Sequence, residues 1–190
     1  MQQINFRLFA GLVRAPGYLQ YGVEMKKYLL IVFSLALISQ CKEKVQREYA
    51  TMHKLAEKAV ELLNRKDPEI LHRLLMTPEE YQQKVYPHSD AAKTLNALEA
   101  DEFWRIHMGL QRIAGVRYQV EKYKNYQVKL LSVGEPGNTI IEGPYTLYRK
   151  VPVTLQLTGA RADRQEVTET KLLGVVVEHE QKFKLLNVFN

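Results

Sequence analysis

Tyr145-Thr146-Leu147-Tyr148-Arg149-Lys150-Val151-Pro152-Val153-Thr154-Leu155-Gln156-Leu157 is the stretch on which the fold turns. Val151, Val153, Leu155 and Leu157 alternate with Pro152, Thr154 and Gln156. That period of two marks a strand with one apolar and one polar face. Pro152 has no N–H to give to a ladder, so it predicts an edge position or a bulge. Downstream, Gly159 to Arg164 reads as a loop, and Thr168 to Glu178 with Lys182 to Phe189 reads as a terminal hairpin. Upstream, Tyr126 to Val133 reads as a further strand, and Glu135-Pro136-Gly137-Asn138 as a turn.

The half of the domain before these strands carries helical spacing. From about Val45 to Arg65, Tyr49, Met52, Leu55, Ala56, Ala59, Leu62 and Leu63 recur every three or four residues. Asn64 to Pro68 ends that helix. Ile70, Leu71, Leu74 and Leu75 mark a short second one. Thr77-Pro78-Glu79-Glu80 has the form of a helix start: a capping hydroxyl, Pro at the first position and Glu three residues after the cap. That piece stops near Tyr86-Pro87. A long helix is expected from about Ala100 to Tyr123, with Phe103, Ile106, Leu110, Ile113, Val116 and Val120 as its apolar stripe and Trp104 alongside. Helices followed by a meander predict one α+β domain over residues 47–190, with helices covering one face of an antiparallel sheet.

The layout resembles the nuclear transport factor 2-like, or ketosteroid isomerase-like, fold. The resemblance rests on a first helix ending Leu62-Leu63-Asn64-Arg65-Lys66-Asp67-Pro68-Glu69, a second helix, and a closing hairpin ending Lys182-Phe183-Lys184-Leu185-Leu186-Asn187-Val188-Phe189. It implies a cone: helices packed on a curved antiparallel sheet of about four strands. Ketosteroid isomerase-like members place an acid or a tyrosine inside the cone, where burial shifts its pKa. Asp101, Tyr118, Tyr123, Tyr145 and Tyr148 are residues of the right type. None aligns with the family's catalytic motif, so no catalytic residue is assigned.

The chain has 190 residues, 46% of them hydrophobic and 25% charged, the composition of a globular protein. Its formal net charge is +6. Arg7, Arg14, Lys26 and Lys27, against Glu24, supply half of that excess before the domain begins. The remaining bases are interleaved with acids, as in Lys42-Glu43-Lys44, so no nucleic-acid stripe is expected. His53, His72, His88, His107 and His179 form no metal-binding motif, and there is no phosphate-binding or nucleophile-elbow motif. No metal or cofactor is expected. Tyr81, Tyr86 and His88, with Trp104 and His107 on the long helix, are a candidate pocket mouth, since aromatic surface with polar tips suits a ligand or a partner.

From Met25 the chain reads Met-Lys-Lys-Tyr-Leu-Leu-Ile-Val-Phe-Ser-Leu-Ala-Leu-Ile-Ser-Gln-Cys41. Two lysines precede an apolar run, Tyr28 to Ile38, that is too short to span a bilayer and suits the core of a secretory signal. Cys41, the single cysteine, closes it. Residues 25–40 are therefore expected to be a signal peptide, 41–46 an anchor and tether, and 1–24 an over-extended start or a long leading region. The segment resembles bacterial lipoprotein signals, in which diacylglycerol is attached to the cysteine sulfur. Leu37, Ile38, Ser39, Gln40 and Cys41 are the matching residues, and Gln40 in place of a small residue makes this a relaxed, spirochaete-like lipobox. The resemblance implies an envelope protein held to the inner or outer membrane through lipid on Cys41, its domain periplasmic or at the cell surface. Its partners would be a small ligand, an envelope protein or a second copy paired through the open sheet face. The expected role is non-catalytic binding or structure; the alternative is a small extracytoplasmic isomerase or hydrolase.

Overall fold

A computed structural model describes residues 45–94, 99–159 and 165–188. The signal segment and Cys41 lie outside the described residues, as does most of the expected loop between Gly159 and Arg164. Residues 45–190 form one compact unit.

The α+β class holds, with three differences in detail. The described sheet has five antiparallel strands rather than about four: β1 (Tyr126–Val133), β2 (Asn138–Glu142), β3 (Tyr145–Gly159), β4 (Gln165–His179) and β5 (Lys182–Asn187). The added strand is β2, which begins on the last residue of the expected turn. β1 pairs with the second half of β3 and β2 with the first half, so both lie along the same flank of β3; β4 takes the other flank and β5 completes the order.

The second difference is a crease. Pro152 sits in a central strand where the β3–β4 register shifts: from Val151 to Val153 the partner runs from Leu173 to Thr170, so the proline stands opposite a bulge in β4. Lys150 just before it has φ 53°. Gly134 lies against the proline: its N–H donates to the Pro152 carbonyl at 2.9 Å, and a Cβ at this glycine would come within 2.8 Å of the Pro152 ring. Across the crease the faces exchange. Tyr145 and Leu147 point to one side of the sheet, while Val151, Val153, Leu155 and Leu157 point to the other with Tyr148.

The third difference follows from that exchange. Helical segments cover both faces of the sheet, not one. The larger core joins Val151, Val153, Leu155, Leu157, Leu173 and Val176 to helix α1 (Met52–Asn64), helix α2 (Pro68–His72) and the end of the long helix. A second core joins Tyr145, Leu147, Val175, Val177 and Leu186 to the chain between Met76 and Met108.

Helix α1 starts at Met52 instead of about Val45. Thr51 is extended and its hydroxyl accepts the Lys54 N–H at 3.1 Å, which caps the helix. Tyr49 is drawn into the sheet: its N–H donates to the Phe183 carbonyl at 3.0 Å, and the Phe183 N–H donates back at 2.8 Å. The Met76 N–H donates to the Leu185 carbonyl at 2.7 Å, so the outer edge of β5 is covered twice. On the opposite edge the Asn64 amide donates to the Val128 carbonyl at 2.7 Å and accepts its N–H at 2.8 Å, acting as a short piece of neighbouring strand.

Thr77 and Glu80 form the expected capping box at helix α3 (Pro78–Glu80). The chain continues through a π turn (Tyr81–Val85) and a 3₁₀ turn (Tyr86–His88) into helix α4 (Asp90–Lys93). The long helix has the expected ends but three parts: α5 (Ala100–Phe103), a π turn (Trp104–Gly109) and α6 (Leu110–Tyr123). The wider π turn rotates the buried face. Trp104, Arg112, Gly115, Val116, Gln119, Val120 and Tyr123 point inward, and Ile106, Leu110 and Ile113 of the expected stripe are exposed. Among the described residues no helix is long and apolar enough to cross a membrane.

Candidate functional site

The second core gathers most of the aromatic residues singled out above. The π turn places Tyr81 against Trp104, ring centroids 5.4 Å apart, and against Tyr86 at 6.3 Å. Phe103 bridges Tyr86 at 5.2 Å and His107 at 4.9 Å. His88 lies 5.6 Å from Tyr145, which stacks on His179 at 4.7 Å. Tyr81, Tyr86 and Trp104 are buried, His88 is partly buried and His107 is exposed. Tyr81, Tyr86, Trp104 and His107 thus join through Phe103 in one aromatic layer, and His88 meets it only through Tyr145, which shares the second core.

Register explains how polar groups enter this layer. Glu142 pairs with Tyr145 and Ile140 with Leu147, so Glu142 shares their face and is 8% exposed. One of its carboxylate oxygens is buried without a hydrogen-bond partner, and so is Arg149 Nε, four pairs along the same β2–β3 ladder. Burial pushes the Glu142 carboxyl above its ordinary range; Asp90 adds to this, and Arg149 and Lys93 oppose it. Burial also pushes the Tyr81 phenol up to about 12, helped by Glu142 and Tyr86 and opposed by Arg149. A buried carboxyl with a raised pKa near a phenol is an arrangement suited to holding a hydrogen-bonding ligand.

Gly143 turns the chain between Glu142 and Tyr145 with φ +60°, and an added Cβ would lie 2.7 Å from His88 Nδ1. Below the layer, Arg112 is 2% exposed. Its guanidinium carbon sits 4.5 Å over the Trp104 ring, and Nη2 donates to the Met76 carbonyl. Burial, and to a lesser degree Arg47, lowers its pKa to about 10. Arg112 has no carboxylate partner among the described residues.

A polar tie closes the rim. Lys184 Nζ lies 2.9 Å from both Glu48 Oε1 and Glu80 Oε1. Its hydrogen bond draws the Glu48 carboxyl down against desolvation. Burial of Glu80 works the other way, but the Thr77 N–H, Lys184 and Arg47 outweigh it, and this carboxyl too falls below its ordinary range. A separate open groove of about 350 Å³ runs between α1 and β1, lined by His53, Glu57, Glu61, Asn64 and Lys129 among others.

Of the acid and tyrosine candidates, Tyr145 alone enters the aromatic layer. Asp101 accepts from Gln82 at 3.3 Å on the surface, Tyr118 is exposed, Tyr123 is buried in the larger core, and Tyr148 donates to Glu178. Among the described residues, no three ligating side chains converge as a metal site. Sequence reading missed Glu142, Arg149 and Arg112. A signal for the first existed: Asn138-Thr139-Ile140-Ile141-Glu142 lies between two Pro/Gly turns, the setting of a short strand. No protein-family model, curated protein or solved structure matches the chain.

Proposed function

We propose that the chain is a membrane-anchored extracytoplasmic lipoprotein whose domain binds or scaffolds rather than catalyses. The observation that carries the non-catalytic reading is the larger core. Where a cone-shaped isomerase keeps a polar cavity, this domain packs Leu55, Leu63, Val153, Leu155, Leu173 and Val176 against one another, all fully buried. The helices before a long, creased hairpin support a cone of the nuclear transport factor 2-like type. The two lysines, the short apolar run and the lone Cys41 support export and lipidation. A diacyl group with a further amide-linked chain anchors stably where a single chain is marginal.

Mass spectrometry of the native N-terminal peptide tests the anchor. The expected peptide begins at Cys41 and carries acyl mass; Cys41→Ala moves the protein out of the membrane fraction. An unmodified thiol on a chain that still contains residues 25–40 refutes lipid anchoring.

Glu142 favours a second reading, a small extracytoplasmic isomerase or hydrolase. Its buried carboxyl, with a pKa raised by burial and a neighbour in Tyr81, is an arrangement suited to proton transfer. Glu142→Gln keeps the shape but cannot take up or release a proton. On the non-catalytic reading this variant is at least as stable as the parent at pH 7 and behaves like it in envelope function. Loss of function with the fold intact by circular dichroism favours the enzyme.

A further inference from the structure

Ile106, Leu110 and Ile113 stand on the outer side of the long helix, 48, 76 and 42% exposed. Three aliphatic side chains at spacings of four and three form a continuous stripe, the form of a helix that packs on another element. Exposed Glu102 precedes the stripe by one turn and exposed Arg117 follows it by one turn. Neither charge has an ion-pair partner among the described residues.

This arrangement is complementary to itself. In two copies of the helix laid antiparallel, with the two-fold axis passing between Gly109 and Leu110, Glu102 of each copy faces Arg117 of the other. Ile106 then faces Ile113, and each Leu110 meets the other copy beside Gly109. We infer that this stripe is the contact of a homodimer in which two long helices pair antiparallel across a two-fold axis. The inference stands apart from the reading of the domain as a lipoprotein.

Two further observations point the same way. An added Cβ at Gly109 would meet Trp104 no closer than 3.6 Å, an ordinary contact. The domain's own packing therefore does not require glycine there, although glycine weakens a helix. Close approach of a second helix does use it. The helix dipole favours acids at the start and bases at the end, but it gives no reason to leave aliphatic side chains exposed between them. Charge of both signs also argues against a purely anionic surface as the occupant, since a membrane would be met by a basic face. The side of β3 and β4 turned away from the larger core carries Thr154, Gln156, Thr158 and Glu169 around Val167, and the other exposed aliphatics of the sheet, Leu131 and Ile141, stand on the separate strands β1 and β2. A single helix pair offers less area than the roughly 1,200–2,000 Å² of a stable interface, so the dimer is weak and depends on concentration.

Charge exchange tests the register. The full chain in a non-ionic detergent is followed by sedimentation velocity over a concentration series. Glu102→Arg alone and Arg117→Glu alone each place like charges opposite one another twice per dimer, and each is expected to weaken self-association by about tenfold or more. An equimolar mixture of the two restores it, because in the mixed dimer both contacts are again of opposite sign. Leu110→Asp abolishes dimerisation while far-ultraviolet circular dichroism stays unchanged. A parent chain monomeric throughout the series overturns the inference. So do single variants that dimerise as well as the parent, or a mixture no better than its components. A monomer whose binding to anionic lipid vesicles is lost on Leu110→Asp also overturns it, in favour of a lipid surface.

Discussion

Tyr81 and Arg112 both pack against Trp104 and are perturbed in opposite directions by the same cause. Burial favours the neutral form of each, so the phenol rises to about 12 and the guanidinium falls to about 10. Tyr49 rises to about 12 by burial, and Tyr148 rises to the same value through its hydrogen bond to Glu178. The signs set an alkaline profile. A tyrosine whose folded pKa exceeds its unfolded value of 10.0 contributes stability below pH 10 that is lost as pH rises toward 12. An arginine whose folded pKa falls below its unfolded value gains stability as pH rises above about 10. Three tyrosines oppose one arginine, so urea midpoints should fall between pH 10 and 12. Tyr81→Phe should make that fall shallower, and Arg112→Met should make it steeper. A profile unchanged by both variants would show that neither group is perturbed. The tyrosines were legible in the sequence because Tyr81, Tyr86 and Trp104 cluster on helical segments that read clearly. Arg112 was not, because a charged residue among polar neighbours at helical spacing looks solvated. Only the π turn brings it under the tryptophan.

Helix and strand ends were largely readable, because capping and turn residues act locally. Thr77, Pro78 and Glu80 act within one turn, as does the tight turn at Glu180 and Gln181, both with positive φ. The direction in which a helix faces, or a strand after a bulge, depends on one inserted residue. Alternation from Val151 to Leu157 reads correctly but does not extend to Leu147, since the faces exchange across the crease at Lys150 and Pro152. The start of α1 was misread for a different reason: Tyr49 fits the helical period, but its partner Phe183 is remote in sequence. The turn between β2 and β3 gives the test at this scale. Gly143→Ala introduces a side chain at φ +60° and pushes a Cβ to 2.7 Å from His88. Loss of about 1–3 kcal/mol is expected by denaturant titration. His88→Ala in the same background should recover part of that loss, and no recovery would place the cost in the backbone alone.

Across the whole domain, Lys184 is the point at which three remote segments meet, through Glu48 and Glu80. Burial of Lys184 works against its charge, but its hydrogen bonds to the two glutamates outweigh that and raise its pKa. Both carboxyls titrate below 4.5, so the stability they lend is complete above that pH and lost as pH falls through their folded values. Lys184→Met should lower stability at pH 7 and flatten acid unfolding between pH 5 and 3. Equal acid slopes in parent and variant would remove the tie as the cause. Glu142 runs in the opposite sense: its raised pKa means stability is lost as pH rises through the folded value, so Glu142→Gln should gain stability near neutrality. The α+β class was visible in the order of periodicities. The two-sided covering of the sheet was not, because no local pattern says which face a helical segment will take.

β5 is clasped on its outer edge by Tyr49 and Met76, and on its inner edge by β4. The backbone of Tyr49 therefore has no strand partner until Phe183 has been synthesised, although Arg47 can already reach the Arg73 carbonyl. A growing polypeptide can form its helices and its central hairpin early, but it cannot latch. Closure of the domain thus waits for its last strand, and a chain cut short before Phe183 would lack the clasp however well its earlier elements had formed.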